Sequence, residues 1–125
     1  MNISPYLFFN GNCREAVVHY EKAFGVTAYV DNSEVNPALI EHAQITLCGI
    51  TIMFCDWDWD EPYKKGQDFM TSIGFDETDK SVIKTAFDAL AENGKIIVPL
   101  KKSEWNELSG TVMDKYGFRW NFYQM

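Results

Sequence analysis

The sequence predicts an α+β fold made of two βαβββ units with one helix in each, and three observations carry that prediction. Eight short runs have strand-like apolar content, two longer stretches carry apolar residues at helical spacing, and the order of these elements repeats once along the 125 residues. Ile3 to Phe9 is apolar and aromatic and reads as a buried strand, ended by Asn10-Gly11-Asn12. Asn12 is placed to cap a helix, with Glu15 three residues on completing a capping box. Ala16, Val17, Tyr20, Ala23 and Phe24 then form one apolar stripe, and Gly25 stops the helix. Val26 to Asp31 is strand-like, and Asn32 to Leu39 is a polar loop holding Pro37. Glu41 to Cys48 alternates His42, Gln44 and Thr46 with Ala43, Ile45 and Leu47, the pattern of a half-buried strand. Gly49 marks a tight connection into the returning strand, Ile50 to Cys55.

After a polar and aromatic connector, Asp56 to Gln67, the order begins again. Asp68 to Phe75 is strand-like, and Asp79 to Asn93 puts Val82, Ile83, Ala86, Phe87 and Leu90 on one helical face, with Gly94 as its stop. Ile96 to Leu100 is a strand, Lys101 to Leu108 a loop containing Trp105, and Ser109 to Asp114 pairs with Phe118 to Tyr123 across a tight Asp114-x-x-Gly117 turn. The chain is expected to be one domain over residues 1–125, with its units at 1–56 and 68–125. Residue identity between the halves is weak. A single helix covers one face of a sheet, so the other face of each must meet the second half, a partner subunit or a ligand.

Composition narrows the function classes. Eighteen acids against eleven bases give a net charge of −7, which repels a nucleic-acid backbone or an anionic membrane, and no basic stripe accompanies the four Trp. No apolar run approaches a membrane span, and Met1 leads into a strand without a signal-peptide pattern. Cys13, Cys48 and Cys55 are odd in number and form no C-x-x-C pair, which points to reduced thiols and a cytoplasmic setting.

A set of residues spread along nearly the whole chain carries a resemblance. It comprises Pro5-Tyr6-Leu7-Phe8-Phe9-Asn10-Gly11-Asn12, Ala16, Tyr20, Phe24-Gly25, His42-Ala43, Gly94, Pro99, Glu104-Trp105 and Asp114-x-x-Gly117-x-x-Trp120. In these positions the chain resembles the PhnB-like branch of the vicinal oxygen chelate superfamily, which includes glyoxalase I, bleomycin-resistance proteins and extradiol dioxygenases. The resemblance implies a cupped mixed sheet with each helix on its outer face, and a homodimer whose units pair within a chain or across chains. The connector does not choose between these modes, since its twelve residues reach about 40 Å when extended. Members that use a metal hold it at four strand positions, commonly His, Glu, His and Glu. Here those positions fall near Pro5, at Met53 or Phe54, within Met70 to Ser72, and at Asn121. Such a ligand set suits neither Zn nor Fe, so no metal and no cofactor are expected. Similar sequences sometimes carry a ubiquinone-methyltransferase label, but no Gly-rich nucleotide-binding turn follows a strand.

The same resemblance selects candidate site residues. With Asn121 facing into the cup, alternation sends Arg119 and Tyr123 inward and Phe118, Trp120 and Phe122 to the opposite face. His42, Gln44 and Thr46 face the cup while Ala43, Ile45 and Leu47 face the helix. Arg119 can hold a carboxylate or phosphate through two parallel hydrogen bonds, and His42 titrates near neutrality and can serve as acid or base. Duller roles stand beside these: a hydrogen-bonded structural histidine, and a surface ion pair for Arg119. Trp57, Trp59 and Trp105 lie in connectors, where they line a pocket mouth or meet a partner subunit.

Two further motifs are weaker. Asp56-Trp57-Asp58-Trp59-Asp60-Glu61 opens like a calcium loop but has Glu61 where Gly is needed and Gln67 where a bidentate Glu is needed. Cys13 at a helix start is expected to have a lowered thiol pKa, and Cys55 beside Asp56 and Asp58 a raised one. Three functional readings remain. One is a small-molecule binder without metal, its ligand unknown, using Gln44, Thr46, Trp57, Trp105, Arg119, Asn121 and Tyr123. The second is an enzyme acting on a small anionic or aromatic substrate with His42 as acid or base. The third is a dimeric scaffold without a ligand.

Overall fold

The computed structural model describes residues Met1–Met125, and they divide into two units, Met1–Lys64 and Lys65–Met125. In the first, β1 (Tyr6–Phe9), α1 (Cys13–Phe24), β2 (Tyr29–Asn32), β3 (Ile40–Leu47) and β4 (Ile50–Asp56) follow one another. In the second, β5 (Thr71–Phe75) leads through a 3-10 turn (Glu77–Asp79) to α2 (Lys80–Ala91), β6 (Lys95–Lys101), β7 (Ser109–Met113) and β8 (Arg119–Gln124). Each unit builds its own four-stranded mixed sheet, in the order β1-β4-β3-β2 and β5-β8-β7-β6. The β1/β4 and β5/β8 pairs are parallel and the others antiparallel. The expected α+β class with two βαβββ units is therefore what the chain adopts.

Each helix fills one sheet face. From α1, Cys13, Ala16, Val17, Tyr20 and Ala23 are buried, while Phe24 is only half-buried. Tyr20 stacks on Phe54 of β4 at 5.3 Å and meets Phe9 of β1 at 6.3 Å. In the second unit Ile83, Ala86, Phe87 and Leu90 pack over Trp120 and Phe122, with Phe122 5.0 Å from Phe75 and 5.9 Å from Phe87. Each such fully buried aromatic ring stabilises its unit by roughly 1.5–3 kcal/mol.

Several local expectations are corrected. The Asn12 side chain makes no cap hydrogen bond. Instead the Cys13 amide donates to Asp56 Oδ1 at 3.0 Å, because the end of β4 brings a carboxylate to the positive end of α1. Gly25 does adopt the left-handed conformation at φ 66°. Gly94 does not play that part for α2: the left-handed residue is Asn93 at φ 58°. Gly94 is required by close approach, since a Cβ there would lie 2.3 Å from the Met113 carbonyl oxygen. Val82 is exposed, because the α2 stripe starts at Ile83. The second helix begins later than Asp79, after a 3-10 turn capped by Asp76, whose side chain accepts from the Thr78 and Asp79 amides. The strands expected from Ile3, Val26 and Asp68 start only at Tyr6, Tyr29 and Thr71, where a neighbouring strand is present to pair with them.

The buried carboxylate of Asp56 generates a prediction. It accepts from the Cys13 amide and, at 2.8 Å, from the Ile40 amide, so one side chain joins β4, α1 and β3. Asp56→Ala leaves two buried N–H groups without acceptors and lowers the unfolding free energy by about 2–4 kcal/mol in urea titrations. Asp56→Asn, which keeps one good acceptor, costs about half as much.

Candidate functional site

Opposite α1, the first sheet presents the alternate residues of each strand. Tyr6 and Phe8 come from β1, Tyr29 and Asp31 from β2, His42, Gln44 and Thr46 from β3, and Thr51, Met53 and Cys55 from β4. A hydrogen-bonded row crosses this face. The Tyr6 hydroxyl donates to His42 Nδ1 at 2.9 Å, and His42 Nε2–H donates to Gln44 Oε1 at 3.0 Å. The Thr46 and Thr51 hydroxyls lie 3.4 Å apart further along.

Rings gather at one end of the row. Tyr6 stacks on Phe8 at 5.2 Å, and Phe8 meets Trp57 and Trp59 edge-on at 5.4 and 5.2 Å. Trp57 lies 4.7 Å from Trp59 and 5.9 Å from Tyr63, and its indole N–H donates to the Glu61 carbonyl. A hollow of about 380 Å³ is lined here by Tyr6, Cys55, Asp56 and Trp59. A second hollow, of about 450 Å³, adjoins Gln44, Thr51 and Met53. Tyr6 thus lines one hollow and Gln44 the other, with His42 bonded to both.

Opposite α2, the second sheet presents Arg119, Asn121 and Tyr123 of β8, all half-buried, while Trp120, Phe122 and Gln124 are buried on the helix side. The alternation expected of this strand is therefore the observed one, except that Phe118 lies in the turn before β8. Its amide, with that of Tyr116, donates to Asp114 Oδ1. Asn121 is fully engaged within its sheet: Oδ1 accepts from Ser72 Oγ, and Nδ2 donates to the Gly110 carbonyl and Thr111 Oγ1. The Tyr123 ring lies across Gly74, where a Cβ would come within 2.7 Å of it. Arg119 Nη1 donates to the Gln67 carbonyl at 2.7 Å. Trp105 stands 85% exposed in the loop after β6.

The structure thus bonds His42 directly to Gln44 and, through its other ring nitrogen, to a residue the sequence reading passed over, Tyr6, and it sets Arg119, Asn121 and Tyr123 on one face of the second sheet. Tyr6 was hidden in an all-apolar-looking run, where only its hydroxyl distinguishes the open face from the core.

The superfamily's metal positions can be tested against these residues. The register opposes Tyr6 to Met53 in the first unit and Ser72 to Asn121 in the second. Pro5, expected near the first position, only accepts the Met53 amide through its carbonyl. A phenol, a thioether, a hydroxyl and an amide already bonded at both ends do not fit a divalent ion. No group of three or more His, Cys, Asp or Glu side chains is arranged to hold one.

The thiols correct another expectation. Cys13 is raised, not lowered: burial dominates, and the Asp56 carboxylate adds to it, outweighing the helix end. Burial also raises Cys55, with Asp56 adding and the Tyr6 hydroxyl opposing. Tyr6 itself is pushed up to about 12, by burial first and by Cys55 second.

Comparison with known proteins agrees with this architecture. The family model described as 3-demethylubiquinone-9 3-methyltransferase matches residues 1–123. Protein YjdN of Escherichia coli (strain K12) is 30% identical over an alignment of 139 residues that covers 96% of this chain and 92% of YjdN. The crystal structure of PA1353 from Pseudomonas aeruginosa is 29% identical with a TM-score of 0.85, covering 99% of this chain and 97% of that one. A PhnB protein from Bacillus cereus is 24% identical with a TM-score of 0.77 over the whole of both chains, a likeness of fold. The doubly wound parallel sheet that binds nucleotide cofactors is a different arrangement from two mixed four-stranded sheets.

Two predictions follow from the site chemistry. Cys48 is exposed in the β3–β4 turn whereas Cys13 and Cys55 are buried, so a thiol reagent modifies Cys48 rapidly and the other two only on unfolding. Cys48→Ser then removes the fast phase of labelling. Tyr6 has a folded pKa above its ordinary value of 10, so its contribution to stability is complete below pH 10 and is lost as pH rises towards about 12. Ultraviolet titration shows a late phenolate step in the native protein, and Tyr6→Phe removes one tyrosine's share of it, since Tyr29 and Tyr63 are raised as well.

Proposed function

The chain belongs to the 3-demethylubiquinone-9 3-methyltransferase family, in the PhnB-like branch of the vicinal oxygen chelate superfamily, and from that premise we propose that it is a metal-independent small-molecule-binding protein. The observation that carries this reading is the Tyr6–His42–Gln44 row, which links two hollows of about 380 and 450 Å³ beside a wall of aromatic rings. Both volumes lie in the range of small-ligand pockets, and the chemistry is of the expected kind, with flat apolar surface beside a few fixed polar groups. A ligand with an aromatic or otherwise flat part stacks on Phe8, Trp57 and Trp59 while its polar substituents meet Tyr6, His42 and Gln44. Thr46 extends the polar set on this face, while Arg119, Asn121 and Tyr123 offer a polar set of their own on the open face of the second sheet, and Trp105 stands exposed in its loop.

A second reading rests on one contact. His42 Nδ1 accepts from a hydroxyl that itself lines a hollow, so Tyr6 and His42 form a proton relay reaching the ligand. In that reading the protein is an enzyme with His42 as the base and Tyr6 as the group that hands over the proton. We also propose a homodimer, since one helix covers only one face of each sheet. A cytoplasmic site of action is consistent with three thiols that form no disulfide. No helix is long and apolar enough to cross a membrane.

The test is a titration of tryptophan fluorescence with a panel of flat aromatic compounds that includes a hydroxyquinone and a catechol. A binder quenches Trp57 and Trp59 saturably, and His42→Ala and Tyr6→Phe each weaken it about tenfold, the cost of one lost hydrogen bond to a bound polar group. Chemical conversion of the bound compound, lost in both variants, selects the enzyme. A panel without a single saturable ligand removes the binding reading. Sedimentation equilibrium that gives a monomer mass removes the dimer.

A further inference from the structure

The second unit holds a hollow that the ligand-binding reading does not explain. It measures about 430 Å³ and is lined by Lys65, Gly66, Gln67, Met113, Gly117 and Arg119. In a chain with eighteen acids and eleven bases, this lining contains two cations and no carboxylate. Neither cation belongs to an ion pair, since both pairs are on or beside α2, Lys80 with Glu77 and Lys84 with Asp88.

Neutral groups hold both cations in place. Lys65 Nζ donates to the Tyr116 carbonyl and sits 3.5 Å from the centre of the Phe118 ring. Arg119 uses Nη1 on the Gln67 carbonyl. Each therefore keeps donors in hand, two of three on the ammonium and most of the guanidinium fork. Gly117 makes the Lys65 position possible: at φ +87°, any Cβ would fall 2.9 Å from Lys65 Cδ, so the lysine stem lies on the bare turn. Asp114, the acid behind that turn, is 1% exposed, and its oxygens are taken by the Tyr116 and Phe118 amides and the Trp120 indole. Burial lowers the Lys65 ammonium pKa and Asp114 offsets it only in part, so its charge is desolvated without a full counter-charge.

We propose that this hollow is an oxyanion site, in which Lys65 Nζ and the unused N–H groups of Arg119 hold the carboxylate or phosphate-like head of a small organic anion. An ammonium and a guanidinium that line one hollow with no carboxylate in its wall can both donate to a single bound oxyanion. The site deepens the binding reading above only through Arg119. It makes no use of Tyr6, His42 or Gln44.

The experiment is calorimetric titration of the full chain with inorganic phosphate, methylphosphonate and acetate, each at one fixed ionic strength set with chloride. The expected result is saturable binding of one molecule per chain. Lys65→Met and Arg119→Gln each weaken it about tenfold or more, as for a lost hydrogen bond between charged groups. Lys65→Arg restores much of the loss, and Lys102→Met, which removes an exposed charge of the same sign, changes affinity less than about twofold. Preference for the tetrahedral anions assigns a phosphate-like head, and preference for acetate a carboxylate. Circular dichroism establishes that each variant is folded. The proposal is overturned by no saturable binding of any of the three anions, by folded Lys65→Met and Arg119→Gln proteins that bind as the wild type does, or by an equal loss in Lys102→Met. Phosphate has no aromatic part, so failure here and failure of the aromatic panel are separate results.

Discussion

Successive side chains of a strand point to opposite faces, and each four-stranded sheet here has one helix to cover one of them. Core and open face are therefore made from the same strands and cannot be specified independently. On β8, Trp120, Phe122 and Gln124 are buried beneath α2 while Arg119, Asn121 and Tyr123 remain half-buried on the other side. On β3, Ala43 and Ile45 are buried and His42 and Gln44 are not. A slip of one residue in either strand would exchange a ring or a branched aliphatic for an imidazole, amide or guanidinium under the helix, at a cost of several kcal/mol. The packing that stabilises each unit is thus also what presents its polar residues.

This constraint explains which parts could be read from the sequence. The β3 and β8 alternations were legible because His42, Gln44 and Thr46 alternate with Ala43, Ile45 and Leu47, and Arg119 and Asn121 with Trp120 and Phe122. The Asp114-x-x-Gly117 turn was legible because its chemistry is local: Asp114 Oδ1 takes the Tyr116 and Phe118 amides, and Gly117 supplies φ 87°. The capping of α1 was not, because the acceptor for the Cys13 amide comes from Asp56, forty-three residues away and brought there by the sheet. Gly94 was misread for a similar reason, since a carbonyl on β7 excludes a Cβ there and the helix stop is its neighbour Asn93. Tyr6 was invisible because Tyr6-Leu7-Phe8-Phe9 gives no polar contrast between faces. Lys65 was passed over because a connector has no period from which to infer direction.

The duplicated architecture carries different latches. The β1/β4 and β5/β8 registers place Asp56 and Gln124 at matching positions, opposite Phe9 and Phe75. Asp56 takes two backbone amides, while the Gln124 amide reaches only the Glu77 side chain, at 3.4 Å. The second unit holds the start of its helix locally instead, through Asp76. A carboxylate at the positive end of α1 is favourable to the helix and, through the same field, unfavourable to a thiolate at Cys13. The group that anchors the helix thereby adds to burial, the larger cause, in holding down the reactivity of its thiol.

The polar groups of the open faces also differ from a coordination site in how they are satisfied. A metal site leaves lone pairs converging on one point, and its ligands are held by bonds made on their far sides. Here the bonds run sideways along the sheet, from Tyr6 to His42 to Gln44, and from Ser72 to Asn121 to Thr111. Such a row fixes each side chain's direction at little cost in lost rotamers, because each partner is itself held by a strand. Its donors and acceptors are spread over a surface beside the rings rather than converging on a point. Lys65 and Arg119 are held differently, by the Tyr116 and Gln67 carbonyls and with no ion pair, so their remaining N–H groups are not tied into the sheet.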